Sequence, residues 1–122
     1  MYRHKIMGKK LFENDIEGYG DAIRTHFSTE DGETPMSLVN AALGSCMLMC
    51  VQGYLRSQKI HNKPVEMAIE YDAPDFQATI FLPQELSEIN QTEVLAYIDQ
   101  QCRVKKLLRE DIYVNLTIQF RT

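Results

Sequence analysis

The clearest pattern along the chain is a period of two in its second half. Residues 65–71 alternate apolar and polar side chains, and the same period returns from Phe76 to Leu82 after the turn composition Asp-Ala-Pro-Asp at 72–75. Because successive side chains of a strand point to opposite faces, the two segments predict half-buried strands joined as a hairpin. Residues 112–121 alternate in the same way and predict a last strand. The apolar face of that strand carries Ile112, Val114, Leu116, Ile118 and Phe120.

The first 30 residues alternate only weakly. They predict two extended segments, at about 2–12 and 18–29, with a turn at Asn14 and Asp15 between them, because Asn and Asp favour turns. The two segments would form a hairpin at the start of the chain.

A long apolar helix is predicted next. The Thr34 hydroxyl can cap a helix, and Pro35 suits the first helical position, so the helix should run from about 35 to 57. Apolar residues surround it, and a helix without a polar face is buried on every side. One small domain rarely covers a helix of roughly 35 Å. We therefore expect a second subunit to cover part of this helix.

A second helix is predicted after a loop at 61–64 and the hairpin. Asn90 and Glu93 have the spacing of a capping box, and the helix should run to about 109. Steps of three and four residues place the Cys102 thiol on its inward face, with Val94, Leu95 and Ile98. The basic residues Arg103, Lys105, Lys106 and Arg109 would be its solvated last turns, where cations suit the helix dipole.

The predicted order of elements is β-β-α-β-β-α-β. It indicates an α+β fold in which helices pack on one side of a mainly antiparallel sheet, within a single domain at 1–122.

Composition and charge narrow the classes of partner. With 44% hydrophobic residues and a net charge of −4 over 122 residues, the chain is typical of a soluble domain and lacks the basic field that nucleic acid requires. Its longest apolar stretch, 41–51, is shorter than the ~18 residues of a membrane span, and no secretory segment is evident at its start. We expect a cytoplasmic protein with no nucleic-acid or membrane partner.

Three cysteines are the strongest candidates for chemistry. Cys46 and Cys50 lie one turn apart on the first helix, and Cys102 lies on the second. Free Cys often acts as a small buried hydrophobe, so periodicity alone favours three inert core cysteines over a redox pair. The sequence carries neither a Gly-rich dinucleotide fingerprint nor a phosphate loop, and its Cys and His spacing fits no zinc pattern, so no cofactor and no metal are expected.

Two motifs resemble those of a known family. The run from Thr34 to Cys46 resembles the helix signature of the OsmC/Ohr family, the osmotically inducible and organic hydroperoxide resistance proteins. It has a leading Pro, an Ala-Ala-Leu stretch, and a Cys ten residues after the position that follows the Pro. The segment from Cys102 to Lys106 loosely resembles the family's second landmark, a Cys-Pro-Val-Ser-Lys-like sequence. The predicted order of elements also agrees with this family.

The resemblance implies an activity and an assembly. It implies an OsmC-like intertwined homodimer with long helices at its centre and two active sites at the subunit interface. It also implies thiol-dependent reduction of organic hydroperoxides in oxidative stress defence, in which one Cys becomes a sulfenic acid, a second resolves it to a disulfide, and a dithiol reductant of unknown identity restores both thiols. Cys46 matches the peroxidatic position and Cys102 the resolving one. Cys50 matches neither, and packing is its favoured role.

The chain departs from the family pattern at the groups that activate the thiol. Where active members carry a Glu after the leading Pro, this chain has Met36, although Glu33 could substitute. A free thiol has a pKa of about 8.5, so an ionised Cys46 needs a nearby cation. The family supplies an Arg from its N-terminal strands, and the best candidate here is Arg24, whose strand ends close to the helix in sequence. The weaker candidates are Arg3, Lys9 and Lys10, and Arg103 replaces the Pro that follows the resolving Cys.

A substrate pocket is predicted beside the first helix. Met36, Leu43 and Met47 would line it and favour a hydroperoxide with a hydrocarbon body, although such stripes are more often core than pocket. The alternative function is a catalytically weak or inactive OsmC-like dimer that binds an apolar small molecule at the subunit interface.

Overall fold

The structure is a computed structural model that describes residues 1–60 and 63–121. Contacts divide the chain into two compact units, Met1–Val39 and Asn40–Thr122, so a single domain stays a prediction. Residues 61 and 62 of the predicted loop lie outside the described residues. In chain order the elements are β1 (Lys5–Lys10), β2 (Glu13–Glu17), β3 (Ile23–His26), α1 (Pro35–Ser57), β4 (Glu66–Asp72), β5 (Asp75–Leu82), α2 (Glu88–Gln101), α3 (Arg103–Lys106) and β6 (Val114–Phe120).

The smaller unit contains an antiparallel sheet in the order β1-β2-β3. The predicted turn at Asn14 and Asp15 is wrong, because both residues lie inside β2 and the chain turns earlier, where Phe12 has φ of 59°. Pairing across strands outweighs the turn preference of these residues. Asp15 lies opposite Arg24 of β3, and its carboxylate accepts a hydrogen bond of 2.7 Å from the Arg24 Nε.

The start of α1 follows the sequence signal. The Ser37 N–H donates to Thr34 Oγ1 at 3.0 Å, and the Thr34 N–H donates to Ser37 Oγ at 2.7 Å, so each residue satisfies a free donor of the other. The Ser37 hydroxyl donates to Glu33 Oε2 at 2.6 Å, which places Glu33 in the helix cap. The predicted helix at 35–57 is confirmed.

The larger unit is built on a sheet in the order β4-β5-β6. The predicted hairpin is confirmed by the antiparallel pairing of β4 with β5, whereas β6 pairs in parallel with β5. The buried residues of β5 are one alternating set, so α1 and α2 pack on a single face of this sheet. The core consists of Leu43, Met47, Val51, Tyr54, Leu55, Phe76, Ala78, Ile80, Leu82, Leu86, Val94, Ile98 and Cys102.

Only one face of α1 is buried in the single chain. Met36, Val39 and Met49 on this helix are 43%, 41% and 66% exposed. By length and composition α1 could cross a membrane, which the shorter stretch at 41–51 did not suggest. Its buried residues pack in the core of the larger unit, as in the central helix of a small soluble fold.

The predicted second helix is interrupted. A continuous helix at 90–109 is wrong, because α2 ends at Gln101, Cys102 has an extended backbone with ψ of 106°, and α3 follows as a separate turn. The helix also begins earlier than the capping-box spacing indicated. Ser87 is the cap, and its side chain accepts a hydrogen bond of 3.1 Å from the Asn90 N–H. No Gly or Pro marks the break at Cys102, whose side chain is fully buried in the core.

A hydrogen bond between α1 and α2 provides a test of this packing. The buried Tyr54 hydroxyl donates to Glu93 Oε2 at 2.7 Å. Tyr54→Phe removes it and is expected to lower the free energy of unfolding by about 1–2 kcal/mol in urea titrations. Tyr113→Phe is the matched control, because that ring is 65% exposed and its loss of a hydroxyl should change stability little. Equal stability of the two variants would show that the Tyr54 bond contributes nothing.

Candidate thiol site

Three cysteines meet in the larger unit, and we call Cys46, Cys50 and Cys102 the thiol cluster. Cys46 and Cys50 lie one turn apart on α1 and are half-buried, whereas Cys102 lies between α2 and α3 and is fully buried. Cys46 and Cys50 pack against the core that contains Cys102, and the Cys102 thiol is close enough to each of them to lower its pKa. The structure therefore brings the predicted pair together and adds Cys50, and all three thiols are free.

The local fold explains this convergence. Residues four apart on a helix share a face, so Cys46 and Cys50 both point toward the same neighbour. The break at Cys102 starts a new helical turn, and the first N–H groups of such a turn have no acceptor within the helix. Among them are the N–H groups of Val104 and Arg103, both of which lower the pKa of Cys46.

The surroundings of Cys46 favour its thiolate. Burial by itself raises the pKa of this thiol, since a charged sulfur loses water. Three donors outweigh that cost: the Val104 N–H, the Cys102 thiol and the Arg103 N–H, with the Arg103 charge adding to them. The pKa of Cys46 is lowered as a result. Cys46 is the member of the cluster best suited to act as a nucleophile, because the thiolate is the reactive form.

The pKa values of Cys102 and Cys50 are raised, in contrast to that of Cys46. Burial raises the pKa of Cys102 most, the Lys105 N–H lowers it, and the negative charges of Cys46 and Cys50 raise it further, to about 11. Burial and the Cys46 charge also raise the pKa of Cys50, while the Cys102 thiol lowers it. The site therefore combines one sulfur whose ionisation is favoured, Cys46, with two thiols that stay protonated at neutral pH.

The cation beside Cys46 is one that the sequence prediction overlooked. Arg103 is the nearby positive charge that lowers the pKa of Cys46. Arg24 belongs to the smaller unit, where its Nε lies 2.7 Å from Asp15 Oδ1 and 3.3 Å from Glu13 Oε1. Its assignment as the activating cation stays a prediction.

The basic residues at 103–109 were predicted to be a solvated helix end, and several of them instead interact with specific groups. Lys105 forms an ion pair with Asp99, and Arg109 lies 2.9 Å from Asp111 Oδ2. Arg103 differs, because its charge acts on Cys46. In a continuous helix Arg103 would project about 100° away from Cys102. The signal in the sequence was its position directly after Cys102, where the helix breaks and the N–H groups of the new turn become available to Cys46.

The predicted substrate residues fall in different surroundings. Leu43 and Met47 are fully buried in the core and offer no surface to a ligand in this single chain. Met36 belongs to the smaller unit, where it lines a cavity of about 390 Å³ together with Phe12 and Phe27. A role in substrate binding stays a prediction for all three. Within residues 1–60 and 63–121, no three His, Cys, Asp or Glu side chains form a group that could hold a metal ion.

Comparisons with solved structures find proteins with a similar fold. No protein-family model matches the chain, and no curated protein does. An OsmC-like protein from Mycoplasma pneumoniae is 12% identical with a TM-score of 0.77, over 100% of this chain and 98% of that one. OhrB of Bacillus subtilis, an organic hydroperoxide resistance protein, is 13% identical with a TM-score of 0.66, over 97% and 98%. A Psychrobacter arcticus protein described by osmotic stress induction and detoxification is 20% identical with a TM-score of 0.77, over 98% and 96%.

These identities concern the fold and not the activity. The alignments extend over nearly the whole of each chain, so the family resemblance seen in the motifs around Cys46 and Cys102 agrees with the three-dimensional structure. The structural neighbours are those expected of a divergent OsmC-like chain, and this protein has the α+β fold of the OsmC-like and organic hydroperoxide resistance proteins.

Proposed function

We propose that this protein reduces organic hydroperoxides, with Cys46 as the nucleophile and Cys102 as the resolving thiol. One observation carries the proposal: the two sulfurs are neighbours whose pKa values are shifted in opposite directions. A two-thiol peroxidase needs this difference, because one sulfur must attack as a thiolate and the other must wait as a thiol.

The first step transfers one oxygen atom. The Cys46 thiolate attacks the terminal oxygen of the hydroperoxide, the O–O bond breaks, and the alkoxide takes up a proton and leaves as an alcohol. Cys46 becomes a sulfenic acid. The N–H groups of Arg103 and Val104 favour the ionised sulfur before the attack, and the positive charge of Arg103 adds to their effect.

The second step uses the change of charge at Cys46. While Cys46 is a thiolate, its negative charge helps to keep Cys102 protonated. Oxidation of Cys46 to the neutral sulfenic acid removes that charge, so Cys102 ionises more readily once it is needed. Its sulfur attacks the Cys46 sulfur, the two form a disulfide, and the hydroxyl leaves as water after taking up a proton. A dithiol reductant then restores both thiols.

A direct test counts thiols and products. One equivalent of cumene hydroperoxide should consume two thiols per chain and yield one cumyl alcohol, measured by thiol titration and chromatography. In Cys102→Ser the sulfenic acid has lost its resolving partner, and dimedone should label Cys46. Recovery of all thiols after excess peroxide would refute the peroxidase.

We propose further that the chain acts as a cytoplasmic homodimer in oxidative stress defence. The single chain leaves large apolar side chains exposed on α1 and on the smaller unit, and such surfaces mark association sites. Light scattering after gel filtration should give twice the 14.1 kDa mass of the chain. A single-chain mass at micromolar concentration would contradict the dimer.

The second candidate function is binding of an apolar small molecule. The cavity lined by Phe12, Phe27 and Met36 favours it, since an apolar cavity of about 390 Å³ could hold a small hydrocarbon body. This alternative predicts thiols that survive peroxide, together with saturable binding of a fluorescent apolar probe such as anilinonaphthalene sulfonate. Met36→Glu should then weaken the binding of that probe.

A further inference from the structure

We propose that Cys50 is a third redox residue, which displaces Cys46 from the Cys46–Cys102 disulfide and leaves a Cys50–Cys102 disulfide with Cys46 free. The inference rests on the proposed function, because that reaction supplies the first disulfide. It assigns a role to the one thiol of the cluster that two-cysteine chemistry does not use.

The geometry of the cluster carries the proposal. Cys46 and Cys50 lie one turn apart on the same face of α1, and Cys102 faces both of them. Cys102 is the shared neighbour of the two α1 cysteines, so it is the residue through which a disulfide can pass from Cys46 to Cys50. Cys102 also lies between two helices, at a point where the backbone is extended, rather than within one.

The exchange is balanced without any further reactant. The Cys50 thiol loses its proton to water, and its sulfur attacks Cys102 Sγ. A Cys50–Cys102 bond forms as the Cys46–Cys102 bond breaks, and Cys46 leaves as a thiolate with the bonding electron pair. One disulfide replaces another, so no net oxidation or reduction takes place.

The surroundings of the three sulfurs favour the Cys50–Cys102 disulfide over the Cys46–Cys102 disulfide. In thiol–disulfide exchange the sulfur with the lower pKa is the better leaving group. The N–H groups of Val104 and Arg103 lower the pKa of Cys46, whereas burial raises that of Cys50. Two influences raise the pKa of Cys50, its burial and the negative charge of Cys46. Cys46 in a disulfide carries no charge, so only burial raises that pKa when the exchange begins.

The exchange has a measurable consequence for stoichiometry. Once Cys46 is released as a thiolate, it can attack a second hydroperoxide before any reductant arrives. The oxidised chain then holds a Cys50–Cys102 disulfide and a Cys46 sulfenic acid. Without reductant, wild-type protein should consume two equivalents of cumene hydroperoxide, and Cys50→Ser should consume one.

The decisive experiment maps the disulfide over time in the intact wild-type protein. One equivalent of cumene hydroperoxide is added, samples are quenched in acid, and free thiols are alkylated with N-ethylmaleimide in denaturant at mildly acidic pH, where disulfide exchange is slow. Cyanogen bromide cleaves after Met47 and Met49, which separates Cys46 from Cys50 for mass spectrometry. We expect Cys46–Cys102 first and Cys50–Cys102 later, with Cys46 alkylated. If Cys50 stays alkylated at every time point, the proposal is overturned.

A second oxidant separates this proposal from the peroxidase itself. Diamide forms disulfides from thiols without a peroxidatic step, and at equilibrium it should also leave Cys50–Cys102 with Cys46 free. That result, with thiols unchanged by peroxide, would reject the peroxidase and support the exchange. A Cys46–Cys102 disulfide that persists with both oxidants would support the peroxidase and reject the exchange.

Discussion

Cys46→Ser is expected to reduce the rate of cumene hydroperoxide consumption to that of the peroxide in buffer, a loss of about a hundredfold or more. A serine hydroxyl in the same place stays protonated at neutral pH and is a weak nucleophile without an adjacent base. The donors that stabilise a thiolate at Cys46, the N–H groups of Arg103 and Val104, cannot supply that base. The rate is measured with dithiothreitol as the reductant, by the disappearance of peroxide.

The control for this variant is the neighbouring residue on α1. Ser45 is exposed, and Ser45→Ala should consume peroxide at the wild-type rate while testing for any general disturbance of the helix. Circular dichroism of both variants checks that the fold is retained. Continued consumption by a folded Cys46→Ser protein would mean that the nucleophile is another sulfur of the thiol cluster.

Arg103 is expected to contribute to the ionisation of Cys46 through its N–H group and its charge. Arg103→Gln removes the charge and keeps the backbone N–H, whereas Arg103→Pro removes both and places a residue that suits the first position of α3. Each change removes part of what lowers the pKa of Cys46, so the pKa rises in the order wild type, Gln, Pro. One hydrogen bond to a charged group is worth about 1.5–3 kcal/mol, which corresponds to roughly a tenfold or larger fall in the ionisation constant of Cys46 for the Pro variant.

The rate of iodoacetamide alkylation of Cys46 as a function of pH measures this effect. Alkylation requires the thiolate, so the lowered pKa of wild-type Cys46 makes its rate reach a plateau at a lower pH than that of Cys50. Lys106→Gln is the matched control, with the same loss of charge on α3. If Arg24→Gln slows alkylation and Arg103→Gln does not, the activating cation is the one first predicted from sequence.

The elements that could be predicted are those whose signals are local. The Thr34 cap and Pro35 decide where α1 begins, and the alternation at 65–71 and from Phe76 to Leu82 decides the hairpin, because caps and pleats depend on neighbours in sequence. The first sheet was predicted only as a two-stranded hairpin with its turn in the wrong place, for the opposite reason. Pairing with β3, including the contact of Asp15 with Arg24, holds Asn14 and Asp15 in a strand that their turn preference did not suggest.

The amino-acid sequence alone determined the α+β class, the long apolar α1 and the two cysteines on separate elements, since these follow from periodicity, capping and composition. Tertiary structure decided the chemistry of the site. The break between α2 and α3 leaves N–H groups free to act on Cys46. Packing of Cys102, which lies at this break, against α1 places it beside both Cys46 and Cys50. A thiol's pKa depends on burial and on donors brought from distant parts of the chain, and only the packed fold assembles them.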